Sequence, residues 1–238
     1  DFGLSSGNMY LNHTDLLFGE SLIKDSLKFT SGDWSEWSDF NSKVQMNFNL
    51  DKSIVSTKDL NYFLPIWKWP DQNIGISGEL DGSLSDFRLK DFALLLGKRS
   101  YLDGDLSIDG LPEVDNTIIS LDLKKSRINS SDVKVFLNKE IEIYTDNLKY
   151  IEINGSFYGF YYDFVTEARF NTALGSIDTD INFKVPEKGP ARYSGNLSSR
   201  KFELGKLLDK EKFVRIINLD AKLNGSGLKA HEADIKME

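Results

Sequence analysis

Apolar and polar residues alternate with a period of two along most of this chain, and that constrains its fold more than any other feature. Val44, Met46, Phe48 and Leu50 alternate with Gln45, Asn47 and Asn49. Leu102, Leu106 and Ile108 share a parity with Gly104, against Asp103, Asp105, Ser107 and Asp109. Ile119, Leu121 and Leu123 follow the same rule, as do Ile177, Ile181, Phe183 and Val185, and later Leu219, Ala221 and Leu223. Side chains of successive strand residues point to opposite faces, so each segment makes a strand with one dry and one wet, often acidic, face. Helical spacing is confined to Leu204, Leu207 and Leu208 within "FELGKLLDKEKF". The pattern predicts an all-β chain of hairpins and meanders with at most one or two short helices. Its dry faces can be hidden in a sandwich, in a closed barrel, or in an open trough filled by ligand.

The densest aromatic stretch is "NGSFYGFYYDFVTEARF", Asn154 to Phe170. Ile151, Ile153, Gly155 and Phe157 carry the apolar parity on its N-terminal side. Tyr158, Phe160, Tyr162, Phe164, Thr166, Ala168 and Phe170 carry it afterwards, with Asp163, Glu167 and Arg169 on the wet side. Such an exchange requires a turn or bulge, expected between Asn154 and Gly159. "NTALGS", Asn171 to Ser176, is then the hairpin connection that brings Phe160, Tyr162, Phe164 and Phe170 beside Ile181 and Phe183. A weak repeat of the form apolar–x–Gly–x–apolar recurs at irregular intervals, as in "ISGELDGSL", "YLDGDLSI" and "YSGNLSS". Irregular spacing suits a long meander better than a solenoid with fixed rungs.

Composition removes several function classes. The formal net charge of −8 and the absence of a basic block argue against nucleic acid as a partner. There is no cysteine, so disulfides, thiolate catalysis and thiolate metal sites are excluded. The longest apolar run, "FALLL", is far short of the roughly 20 residues of a spanning helix. The chain starts at Asp1 and ends in "HEADIKME", and it is read as a segment of a longer protein or a mature processed chain.

No catalytic constellation is found. His13 and His231 stand far apart with no triad-like or metal-like setting. "DGDLSIDG", Asp103 to Gly110, lacks the spacing of a calcium loop and alternates as a strand does. "GKRS" at Gly97 lacks the upstream glycine of a phosphate loop. Two aromatic loops stand out: "DWSEWSDF", with Trp34 and Trp37 expected to pack back on a turn, and "FLPIWKWPD", with Trp67 and Trp69 expected to cap a sheet end. The chain is therefore expected to be non-enzymatic, with no metal and no cofactor.

Several segments in order resemble a known family. These are "LDGSLSDFRLKDFALLLG", "LDGDLSIDGLPEVDNTIISLDL", "GSFYGFYYDFVTEARFNTALGSIDTDINF" and "YSGNLSSRKFELGKLL". They are similar to the TamB branch of the AsmA-like superfamily in its Bacteroidetes form, over residues 74–238. Residues 1–73 match in style alone and are taken as an N-terminal β segment continuous with the rest. The resemblance implies an inner-membrane-anchored periplasmic protein, its anchor outside this segment. It also implies a β-sheet curled into a taco-like trough with an apolar interior.

On that resemblance the trough carries phospholipid acyl chains between inner and outer membranes. Its parent chain meets an outer-membrane assembly-type β-barrel protein. The lipid-facing residues would be Leu102, Leu106, Ile108, Ile119, Leu121, Leu123, Tyr158, Phe160, Tyr162, Phe164, Phe170, Ile177, Ile181, Phe183, Leu219 and Leu223. Two other functions are compatible with the same pattern. One is a scaffold or chaperone whose strand edges template outer-membrane proteins. The other is a carbohydrate-binding sandwich using Trp34, Trp37, Trp67 and Trp69.

Overall fold

The computed structural model of the chain describes residues 1–63, 70–227 and 234–237. The fold is all-β, an antiparallel meander with short helices between strands, as the alternation predicts. It divides into two compact units, residues 1–117 and 118–238. Within each, strands pair with their sequence neighbours, so neither unit closes into a barrel. The boundary expected at residue 73 falls at the start of a strand inside the first unit.

The first unit holds β1 (Phe2–Ser5), β2 (Asn8–Phe18), β3 (Ser21–Thr30), β4 (Gln45–Ser56), β5 (Asn73–Gly82), β6 (Asp86–Leu96) and β7 (Ser100–Asp109). Helix α1 (Phe40–Lys43) precedes β4, and α2 (Thr57–Phe63) follows it. Antiparallel partners share a face, so the register writes out the apolar rows. One row is Leu4–Met9–Phe29–Met46–Gly82–Phe87–Ile108, and the next is Phe2–Leu11–Leu27–Phe48–Leu80–Leu89–Leu106.

Below these rows the inward positions jump by three residues rather than two: Leu11 to Thr14, Leu50 to Ser53, Leu89 to Phe92. A β-bulge absorbs each jump and keeps the apolar face continuous. The bulges align into a seam, with one left-handed residue on each of five consecutive strands: His13, Asp25, Lys52, Gly78 and Asp91. Gly78 is required there, because a Cβ would lie 3.0 Å from the Lys90 carbonyl oxygen and the Phe92 Cα. The other four are strained, at about 1–3 kcal/mol each. Partners on the neighbouring strand offset part of that cost. Lys52 N–H donates to Ser77 Oγ (2.9 Å) and Asp91 N–H to Asp105 Oδ1 (2.8 Å).

Two side-chain systems fix the ends of this unit. At one end α2 is pinned to the β2–β3 turn. Asp59 accepts from Glu20 N–H (2.9 Å) and Ser21 Oγ (2.6 Å), while Lys58 pairs with Glu20 and Asp71. Hydrogen bonds to Glu20 first, then Asp71, hold the Lys58 ammonium above its ordinary pKa. At the other end the segment from Asp33 to Lys43 folds back as a 3-10 turn (Trp34–Asp39) and α1. Trp37 and Phe40 pack on Phe29, with centroids 5.8 and 6.0 Å away, and Trp37 Nε1 donates to Ser31 Oγ. Trp37 packs back as expected, while Trp34 leans on Trp37 and is half exposed. Trp67 and Trp69 lie outside the described residues.

The second unit holds β8 (Ile118–Asn129), α3 (Ser130–Val133), α4 (Lys139–Leu148), β9 (Tyr150–Phe160), β10 (Asp163–Thr172), β11 (Gly175–Lys184), β12 (Arg192–Phe202), α5 (Leu204–Leu207), β13 (Ile217–Ser226) and β14 (Asp234–Met237). The helix expected at Leu204 is a single turn. The expectation of at most two helices is exceeded, and the longest helix, α4, was missed. Asn138 caps it by accepting the Ile141 N–H (2.9 Å). Among the described residues of this unit, bulges occur between β8 and β9 and between β12 and β13; the three ladders from β9 to β12 are regular.

Candidate functional site

The second unit's apolar face is built from the same alternation, and its rows follow from the register. The first is Ile119–Gly159–Phe164–Phe183–Tyr193–Gly225. The second is Leu121–Phe157–Thr166–Ile181–Gly195–Leu223. Below them run Leu123–Gly155–Ala168–Thr179–Leu197–Ala221 and Ser126–Ile153–Phe170–Ile177–Ser199–Leu219. Not one residue of these rows is charged.

Aromatic rings cross the strands as a ladder. Phe157 and Phe164 are 4.7 Å apart, and Phe164 and Phe183 are 5.0 Å apart. Such pairs add about 0.5–1.5 kcal/mol beyond their area burial. The rings are only half-buried. The helices α3, α4 and α5 join the strands at the opposite end, and no counterpart of the Trp37–Phe40 plug stands over this ladder among the described residues.

The register brings together most of the residues named from sequence. Ile119, Leu121, Leu123, Phe164, Phe170, Ile177, Ile181, Phe183, Leu219 and Leu223 share this face. Leu102, Leu106 and Ile108 lie on the first unit's apolar face, opposite Leu94, Leu89 and Phe87. "NTALGS" is a hairpin, closed by the pair Thr172 and Gly175.

Tyr158 and Phe160 are corrections. The β9–β10 ladder is unbroken from Ile151 to Phe160, so no face exchange occurs between Asn154 and Gly159. The chain reverses at Tyr161–Tyr162 instead, and the hairpin itself restores parity. Tyr158 therefore stands opposite Val165 on the polar face, 58% exposed, and Phe160 opposite Asp163. Tyr162 is in the turn, stacked on Phe160 at 5.6 Å. Phe157, read as the end of the preceding strand, takes the place in the aromatic ladder that Phe160 was given.

The polar face of this unit carries a shallow cleft of about 580 Å³, lined by Asp122, Ser156, Glu167, Asp180, Asn196 and Asp220, among others. Its floor is ordinary solvated strand surface. Arg169 pairs there with Asp178 at 2.5 Å, and the hydrogen bond to that carboxylate raises the guanidinium pKa above its ordinary value. No group of three or more His, Asp or Glu among the described residues is placed to hold a metal ion. His13, itself exposed, is 3.4 Å from Asp25 Oδ1 at the bulge seam, and the Ser26 hydroxyl donates to that same carboxylate oxygen at 3.1 Å rather than to the imidazole.

A second apolar feature escaped the sequence reading. Val135, Ile141, Ile143, Tyr144, Phe213 and Ile216 are exposed around α4 and the segment after α5, Phe213 to 88%. Among the described residues no helix is long and apolar enough to cross a membrane. No family model matches the chain, and no curated protein and no solved structure matches it either.

Proposed function

We propose that this chain is a non-enzymatic lipid-holding segment of a TamB-like bridge protein, in which the apolar face of the second unit receives phospholipid acyl chains. One observation carries the reading. Uncharged, mostly apolar rows cross six consecutive strands, yet the Phe157–Phe164–Phe183 ladder is left half-buried rather than covered by a second layer. Leaving such a face to water is unfavourable by about 25 cal/mol per Å² of apolar surface, which an acyl chain laid on it would recover. Many near-equivalent contacts hold a chain without a deep trap, which suits a path along which lipid moves. The periplasmic setting, the membrane anchor elsewhere in the parent and the outer-membrane β-barrel partner belong to this same proposal.

Mass spectrometry of lipids that co-purify with the chain tests it, paired with a photo-crosslinking residue at Ile181. Phospholipid crosslinked at Ile181 and lost in Phe164→Asp supports the reading, because an unpaired carboxylate on this face is not solvated by lipid. Absence of lipid from the wild-type chain after isolation from membranes, with no crosslink at Ile181, rejects it.

A further inference from the structure

We propose that the Ser199 hydroxyl is a polar anchor on the second unit's apolar face, donating a hydrogen bond to the carbonyl oxygen of an acyl ester whose tail lies over Ile177 and Phe170. The inference rests on the lipid-holding reading and deepens it by naming a contact point and a ligand class.

Ser199 pairs in register with Ile177 and Leu219, two members of an apolar row. It is 5% exposed, and its Oγ is buried with no hydrogen-bond partner. A buried hydroxyl without a partner is costly, and native interiors rarely keep one without a reason. The bulge next to it does not supply the reason. Ser53, the first inward residue after the bulge in β4, has a hydroxyl that accepts the Lys24 N–H at 2.8 Å, whereas Ser199 is the last inward residue before its own bulge. At the Ser199 bulge the extra residue, Lys201, turns its N–H to Asn218 Oδ1 instead, at 2.8 Å, and leaves the serine unused.

The ligand class follows from the surroundings. The rows around Ser199 hold no cation, so an uncharged ester carbonyl fits better than a free carboxylate, which would be buried without a counter-charge. Three same-face repeats separate the Ser199 row from the Phe164–Phe183 row, about 20 Å at two residues per repeat. A long acyl tail anchored at Ser199 thus reaches the aromatic ladder along an uncharged, mostly apolar path.

The test compares methyl palmitate, heptadecane and palmitate by displacement of a fluorescent apolar dye from the delipidated chain. The expected order is methyl palmitate about five- to tenfold tighter than heptadecane, the worth of one neutral hydrogen bond, with palmitate weaker than the ester. Ser199→Ala removes the ester advantage, leaves heptadecane affinity unchanged and melts no lower than wild type. Ser199→Thr, which keeps a hydroxyl, restores the advantage. An ester-to-alkane ratio unchanged by Ser199→Ala overturns the anchor while the apolar-face reading stands. Palmitate binding more tightly than its ester overturns the ligand class. Binding of none of the three probes to wild type overturns the anchor and the lipid-holding reading together.

Discussion

The two units share one topology, yet they bury their apolar faces differently. In the first, the largest well-buried side chains lie in mid-sheet: Leu27, Met46, Leu50, Leu89 and Phe92, the last only 2% exposed. In the second, every large residue on the apolar face of β9–β11 is half-buried; the buried apolar strand residues are Ala168 and Ala221 together with Leu123 and Phe202, which lie on the flanking strands β8 and β12. Two causes separate them. The first unit bends at an aligned seam of bulges and turns its β3–β4 connection back over the face as an aromatic plug. Asn41 in that connection accepts Ser85 N–H at 2.9 Å, clamping it across the β5–β6 turn. The regular ladders of the second unit have neither device. One alternating pattern therefore makes a sealed face or an open one, depending on bulges and connections rather than on hydrophobicity.

The largest expected effect tests that contrast directly. Phe92→Ala in the first unit should cost about 3–5 kcal/mol, the penalty of a cavity in a closed core. Phe164→Ala on the open face should cost about 1–2 kcal/mol, since a half-exposed ring has less to lose and leaves no sealed void. Urea denaturation midpoints at unchanged slope measure both. Equal losses would erase the distinction between sealed and open faces.

How much of this was legible depended on what each residue type can signal. In β7, β8, β11 and β13 the dry parity is held mostly by aliphatic residues or Phe and the wet parity mostly by Asp, Ser, Lys or Asn. Face assignment there followed from identity alone. Around Tyr158 both parities are aromatic, so identity carries no parity, and the exchange was placed one turn too early. In α4, Ile141 and Ile143 flank Glu142 with strand-like spacing. The capping residue Asn138 was the signal that could have corrected it. The bulge seam was hidden for a different reason. Asp25 and Asp91 suit a left-handed backbone, but Lys52 does not announce one, and alignment of bulges on five strands is a property of pairing. The unpartnered Ser199 hydroxyl was invisible for the same reason, since only the register shows what surrounds it.

A smaller effect tests whether the seam is held by its side-chain partners. Ser77→Ala removes the acceptor of the Lys52 N–H and should cost about 1 kcal/mol, the worth of one hydrogen bond. Asn218→Ala does the same to the Lys201 N–H in the second unit, where the bulge stands alone rather than in a line. The two losses should be similar for the bond itself. A clearly greater loss for Ser77→Ala would show that the aligned bulges support one another, and thermal melting of both variants gives the comparison.

The smallest expected effect concerns backbone strain at the same seam. Lys52 has φ of 50°, a region where a Cβ is unfavourable, while Asp180 sits in a regular ladder between Glu167 and Asn196. Glycine relieves strain at the first and only adds chain entropy to the unfolded state at the second. Lys52→Gly should therefore stay within about 0.5 kcal/mol of wild type or rise slightly. Asp180→Gly should lose about 0.5–1 kcal/mol, the ordinary penalty of glycine inside a strand. The sign of the difference is the informative quantity, because it isolates backbone conformation from packing at two exposed sites. If Lys52→Gly destabilises the chain as much as Asp180→Gly does, position 52 is not strained, and the bend of the first unit must come from its aromatic plug rather than from the seam.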